Sequence, residues 1–143
     1  MPDRYFPIKT ETACPLKWSW STLYLYNGLT ASCHRTGWDK LTVDNFDQFH
    51  NTEKKQQERR EMLEGQWPSN SCAYCQKIEE HNGFSDRKLH LSIPNIYPDE
   101  LDYNPTLVDV SPTILEVYFN NVCNLAYLYC TPALSSKIDR KST

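Results

Sequence analysis

Aromatic positions recur among polar ones along Trp18, Trp20, Tyr24 and Tyr26, the period of a strand with one buried face. Within this stretch Thr22-Leu23-Tyr24-Leu25-Tyr26 and Leu29-Thr30-Ala31-Ser32-Cys33 flank the pair Asn27-Gly28. Asn-Gly is the favoured two-residue hairpin turn because both of its positions take positive φ. The turn predicts a hairpin in which Cys33 lies opposite Thr22 at the open end, and Cys14, in the segment feeding that end, can converge on it. A hairpin core is the expectation for the four aromatics, ahead of a base-stacking platform.

The pattern then turns helical and polar. A short piece is predicted around Asp44 to His50 and a longer one from Glu53 to Glu64, with Asn51 or Thr52 as its cap and Gly65 as its stop. Met62 and Leu63 are nearly its whole apolar content, which predicts a surface helix. A third helix is expected from Cys72 to Gly83, with Cys72, Cys75 and Ile78 at three-residue intervals on one face. From Leu91 to Pro112 the prolines at 94, 98, 105 and 112 break any long element, so this stretch reads as a linker or an extended wrapping segment. The apolar run Ile114-Leu115-Glu116-Val117-Tyr118-Phe119 reads as a strand. Hairpin, helices and late strand make an α+β fold, with no internal repeat and no low-complexity tract.

Composition narrows the function classes. With 39% hydrophobic residues in 143, the chain suits one or two small units and no large core. A net charge of −3 argues against electrostatic binding to nucleic acid. The basic pairs Lys54-Lys55 and Arg59-Arg60 do not change that, because Glu53, Glu58, Glu61 and Glu64 interleave with them; they read as a solvated helix face. No signal-peptide-like or membrane-spanning run occurs, so a cytoplasmic location and no membrane partner are expected. In a reducing cytosol six cysteines point to metal or redox chemistry before disulfides. Among the histidines, His34 beside Cys33 is expected to be a surface or outer-sphere residue, and His50, His81 and His90 show no ligand spacing. Arg87 is expected to be solvent-exposed.

The late strand leads into Asn121-x-Cys123-Asn124-Leu125 and then Leu128-Tyr129-Cys130. This resembles the cluster loop of radical SAM enzymes, in which three thiolates spaced C-x3-C-x2-C hold three irons of a 4Fe-4S cluster and S-adenosylmethionine takes the fourth. The resemblance makes Cys123 and Cys130 metal ligands and puts Tyr129 beside the adenine of the cofactor. The middle thiolate position is Tyr127, a hard oxygen ligand that with a pKa near ~10 stays protonated at neutral pH. The second cluster and S-adenosylmethionine are therefore expected to be absent or weakly held.

The first four cysteines carry a second resemblance. Cys14, thirteen residues, Gly28, four residues and Cys33, followed by Cys72-Ala73-Tyr74-Cys75, is similar to the opening signature of SPASM and twitch domains, which hold auxiliary clusters in radical SAM proteins. The stretch Arg60-Glu61-Met62-Leu63-Glu64-Gly65 leading to Pro68, with Glu79 or Glu80, Gly83, Ser85 and Arg87 after the cysteine pair, resembles a set of phage and marine members with the twitch module first. The two resemblances cover most of the chain. They imply a twitch/SPASM-like auxiliary iron-sulfur domain over 1–92, built as a small hairpin with helices and holding one 4Fe-4S cluster through Cys14, Cys33, Cys72 and Cys75. A Pro-rich linker at 93–112 and the first βα unit of a radical SAM partial barrel at 113–143 would follow. A complete (β/α)8 barrel takes on the order of 250 residues, so the resemblance implies a truncated or split member, not catalytic alone, whose partner is a separate chain with the rest of the barrel. Its substrate has no legible code. The competing reading is a zinc-stabilised four-cysteine binding or interaction module without catalysis, although zinc ribbons use two short C-x2-C knuckles and only one pair here is short.

Overall fold

A computed structural model describes residues 3–68 and 71–120 of the chain. These residues form a mixed α+β fold around a four-stranded sheet. Its strands are β1 (Trp20–Tyr24), β2 (Leu29–Ala31), β3 (Asp39–Lys40) and β4 (Ile114–Tyr118), in the order β3-β2-β1-β4. β2 runs antiparallel to both β1 and β3, whereas β4 lies parallel to β1 with Trp20 beside Ile114 and Tyr24 beside Tyr118. Five α-helices accompany them, α1 (Pro15–Ser19), α2 (Glu53–Leu63), α3 (Ala73–Glu80), α4 (Asp86–Leu91) and α5 (Glu100–Tyr103), with a short 3-10 helix at Phe46–Gln48. Among the described residues no helix is long and apolar enough to cross a membrane.

The hairpin forms with a different turn. Thr22 pairs with Ala31 and Tyr24 with Leu29, so the connection is the four residues 25–28, not the pair Asn27-Gly28 alone. Asn27 and Gly28 both donate their N–H to the Tyr24 carbonyl, the Asn27 side chain accepts from Leu29 N, and only Gly28 takes positive φ, at 72°. Extending this register sets Cys33 across from Trp20 instead of Thr22, two residues closer to Cys14. A shift of two leaves each side chain on its expected face.

The core gathers on the far side of α1. Phe6, Ile8, Ala13, Trp18, Met62, Tyr97, Leu101 and Val110 are buried together, with the Phe6 and Trp18 rings 5.4 Å apart. Trp18 thus belongs to a buried helix and not to the strand its spacing suggested; its Nε1–H donates to the Leu107 carbonyl. Tyr97, Leu101 and Val110 come from the proline-punctuated stretch, which lies against this core and leads directly into β4. Arg4 lies over the Tyr97 ring and pairs with Asp99 and Asp102 at either end of α5, fastening the N-terminal segment there.

α2 departs furthest from its sequence expectation. Thr52 caps it as predicted, accepting from Lys55 N, and the chain leaves through Gly65 at φ 78°. Its inner face, however, is Lys55, Glu58, Arg59 and Met62, so the reading of these charges as a solvated face is wrong: Lys55 is 2% exposed and Arg59 fully buried. The neighbours supply the acceptors that make such burial tolerable. Arg59 donates to the carbonyls of Lys17, His50 and Val108 and to Asn51 Oδ1. Lys17 meets Glu58 at 2.9 Å in a buried ion pair. Lys55 Nζ donates to Ser21 Oγ, Thr30 Oγ1 and the Phe49 carbonyl, with all three donors of an ammonium used.

Candidate functional site: a four-cysteine cavity

Alternation along β1 gives the sheet two unlike faces. Ser21, with Thr30 from β2, turns to Lys55 of α2. Trp20, Thr22 and Tyr24 occupy the opposite face with Glu116 and Tyr118 of β4, as the Thr22–Glu116 hydrogen bond and the stacked Tyr24 and Tyr118 rings record. A cavity of about 890 Å³ opens on that second face. Its lining includes Cys14, Cys33, Cys72 and Cys75.

Each cysteine stands at an element boundary. Cys14 immediately precedes α1, and its carbonyl accepts from Lys17 N. Cys33 follows β2 in a turn closed by Thr36 Oγ1 on the Cys33 carbonyl, with Arg35 N donating to Cys33 Sγ at 3.3 Å. Cys72 is the residue before α3 and Cys75 lies in that helix's first turn. All four are free thiols. Burial pushes the Cys14 thiol up to about 12 and the Cys72 thiol to about 11, and it also raises Cys75. Mutual repulsion adds to burial: Cys14 feels Cys33 and Cys72, Cys72 feels Cys33 and Cys75, and Cys75 feels Cys33. The four sulfurs are thus electrostatic neighbours, and burial favours the protonated form of Cys14 and Cys72 until a metal replaces their protons.

Soft sulfur donors on one cavity fit iron-sulfur or zinc chemistry by type. All four thiols line one cavity, and among the described residues no group of three or more His, Cys, Asp and Glu side chains stands ready to hold a single metal ion. One unused polar group faces the same space. Ser71, beside Cys72 and 4% exposed, lines the cavity with its Oγ buried and unpartnered.

The expectation of a solvent-exposed Arg87 is also overturned, since the residue is 6% exposed. Its guanidinium forks onto Glu79, with Nε 2.8 Å from Oε2 and an Nη 2.6 Å from Oε1, and donates its other Nη to the Ala13 carbonyl. It therefore ties α3, which carries Cys75, to the residue before Cys14. Ser85 completes the corner by donating to Glu79 Oε2 and accepting from Lys88 N at the start of α4. Glu79 is the partner of the two acids left open by the sequence. The cue for this brace was its unusual residue set, and the structure supplies the pairing.

His34 lines the cavity with its Nε2 2.7 Å from Glu116 Oε1, which in turn accepts from Thr22 Oγ1. Cys123, Cys130, Tyr127 and Tyr129 lie outside the described residues. No protein-family model, no curated protein and no solved structure matches the chain.

Proposed function

We infer that the protein is an iron-sulfur protein of the twitch-containing radical SAM type, holding one auxiliary 4Fe-4S cluster through Cys14, Cys33, Cys72 and Cys75. The observation that carries this reading is the convergence of four free thiols, from three separate stretches of chain, on one cavity. Only one of the cysteine pairs is a short C-x2-C knuckle, whereas zinc ribbons present two, which favours the cluster over zinc. Arg87 and Glu79 act as positioning residues, setting α3 against the segment before Cys14. Bound there, a cluster with four thiolates would supply one-electron transfer.

The parallel strand β4, directly before the Cys123 loop, is compatible with the first strand of a radical SAM partial barrel. On this reading the chain acts in the cytoplasm as the auxiliary-cluster part of a radical SAM system. Tyr127 leaves the second cluster without its middle thiolate, so no cleavage of S-adenosylmethionine is expected from this chain alone. Anaerobic purification followed by iron, sulfide and zinc analysis tests the proposal. A brown protein with about four irons and four sulfides per chain is expected. A colourless protein with one zinc, and no iron after reconstitution, would establish the zinc-stabilised binding module instead.

A further inference from the structure

The four cysteines occupy only part of the cavity. The sheet adds Trp20, Tyr24 and Tyr118 to the same lining, and Trp38 joins from the approach to β3 with its ring centroid 5.9 Å from Tyr24. Trp38 remains 48% exposed at the rim. A large tryptophan held edge-on to a buried tyrosine, with half its surface uncovered beside a cavity of this size, is a recognition wall of the kind that takes flat rings.

Charge along the lining is one-sided. Among the described lining residues Lys17, Arg35 and Arg87 are the basic side chains and Asp86 the carboxylate, with Glu116 held behind His34. Lys17 and Arg87 are committed to the buried Glu58 and the half-buried Glu79. Arg35 is held differently, 51% exposed, 3.3 Å from Asp86 and stacked over the Tyr74 ring at 4.3 Å. Beside it the His34 ring is fixed by Glu116 and set edge-on to Trp20 at 5.5 Å. An anionic group can reach Arg35 without displacing a buried partner, while a ring attached to it meets the tryptophan wall.

We propose that the sheet side of this cavity is a binding site for a planar aromatic anion, its ring against Trp20, Trp38 and Tyr118 and its charged group at Arg35. The site shares its cavity with the proposed cluster, but its recognition elements belong to the sheet and the turn after β2. Its success or failure is therefore separable from that of the metal reading.

Titration of the metal-loaded protein by calorimetry tests it with four probes: indole-3-acetate, the neutral indole-3-acetamide, the saturated cyclohexylacetate and adenosine monophosphate. Indole-3-acetate should bind about tenfold more tightly than either the amide or the saturated acid, because only it offers both ring and charge. Tighter binding of adenosine monophosphate would assign the anion to a phosphate, and tighter binding of indole-3-acetate to a carboxylate. Trp38→Ala and Arg35→Gln, both at the exposed rim, should each weaken the better probe about tenfold while iron and sulfide content stay unchanged. Cys14→Ser should do the reverse to the metal content, which separates the two claims. No binding by any probe, equal binding of the saturated acid, or indifference to both rim substitutions would overturn the proposal.

Discussion

The hydrogen bonds around His50 have only one consistent direction. Lys55 Nζ donates to Ser21 Oγ, the Ser21 hydroxyl donates to His50 Nδ1, and His50 Nε2–H donates to the Trp18 carbonyl. A second proton on the ring would make Ser21 Oγ accept from both Lys55 and His50 and leave its own hydroxyl proton without the His50 acceptor. Burial, reinforced by the Arg59 and Lys55 charges, accordingly lowers the His50 pKa to about 3. In the unfolded chain the same imidazole takes its proton near pH ~6.5. Between those values the unfolded state binds the extra proton, so stability should fall as pH drops from ~6.5 toward ~3, by up to ~1.4 kcal/mol per pH unit. Urea unfolding midpoints across that window should show this slope in the wild type and a shallower one in His50→Gln. Parallel profiles would mean that His50 is not held neutral. Lys55 is lowered to about 7 by burial and by Arg59 and Lys17, so its contribution has the same sign in a higher window. Stability should rise as pH goes from ~7 to ~10.5, and Lys55→Met should remove that rise.

At the scale of elements, what the sequence disclosed depended on whether the cue was local. Thr52 as the cap of α2 and Gly65 as its exit were legible because capping acts within one turn. The hairpin was legible but its register was not, since Asn27-Gly28 serves equally well as the last half of a four-residue loop. The buried face of α2 was illegible, because the acceptors that accommodate Arg59 are backbone carbonyls at 17, 50 and 108 that no local pattern announces. Arg59→Lys keeps the charge but cannot span these acceptors, and denaturant unfolding should show a loss of roughly 3 kcal/mol or more. The end of α3 divides the labour between two residues. Asn82 takes the left-handed conformation at φ 60°, whereas Gly83 is required for close approach, since an added Cβ would sit 2.7 Å from Ile78 Cγ2 and 2.9 Å from its carbonyl oxygen. Gly83→Ala should thus cost about 1–3 kcal/mol, and Asn82→Gly should stay within about 0.5 kcal/mol. A reversed order would show that the turn conformation, and not the packing of Gly83, sets the cost.

At the scale of the molecule, stability is unevenly supported. β1 pairs on both edges, and α1 is buried along its whole length beside the aromatic core. α3 buries no residue fully; the described links that hold it include the Arg87–Glu79 fork, the Ser85 hydroxyl and Arg35 over the Tyr74 ring. If a cluster bridges Cys72 and Cys75 to Cys14 and Cys33, metal carries much of the docking energy of that helix. Substitutions should report which cysteines matter. Cys14→Ser should lose the iron, whereas Cys123→Ser and Cys130→Ser should leave it unchanged, because Tyr127 deprives the rear pair of a third thiolate. Hydrogen exchange before and after iron chelation then locates the effect. Amides of residues 72–80 should lose protection when the metal is removed, while those of β1 and the paired β2 and β4 should keep theirs, since their ladder and the core behind α1 do not depend on it. Loss of protection throughout the sheet would make the metal a condition for folding the whole unit. No change at α3 would mean that its protein contacts, the Arg87–Glu79 fork foremost, suffice to dock it, and that the four thiols are not joined through a common cluster.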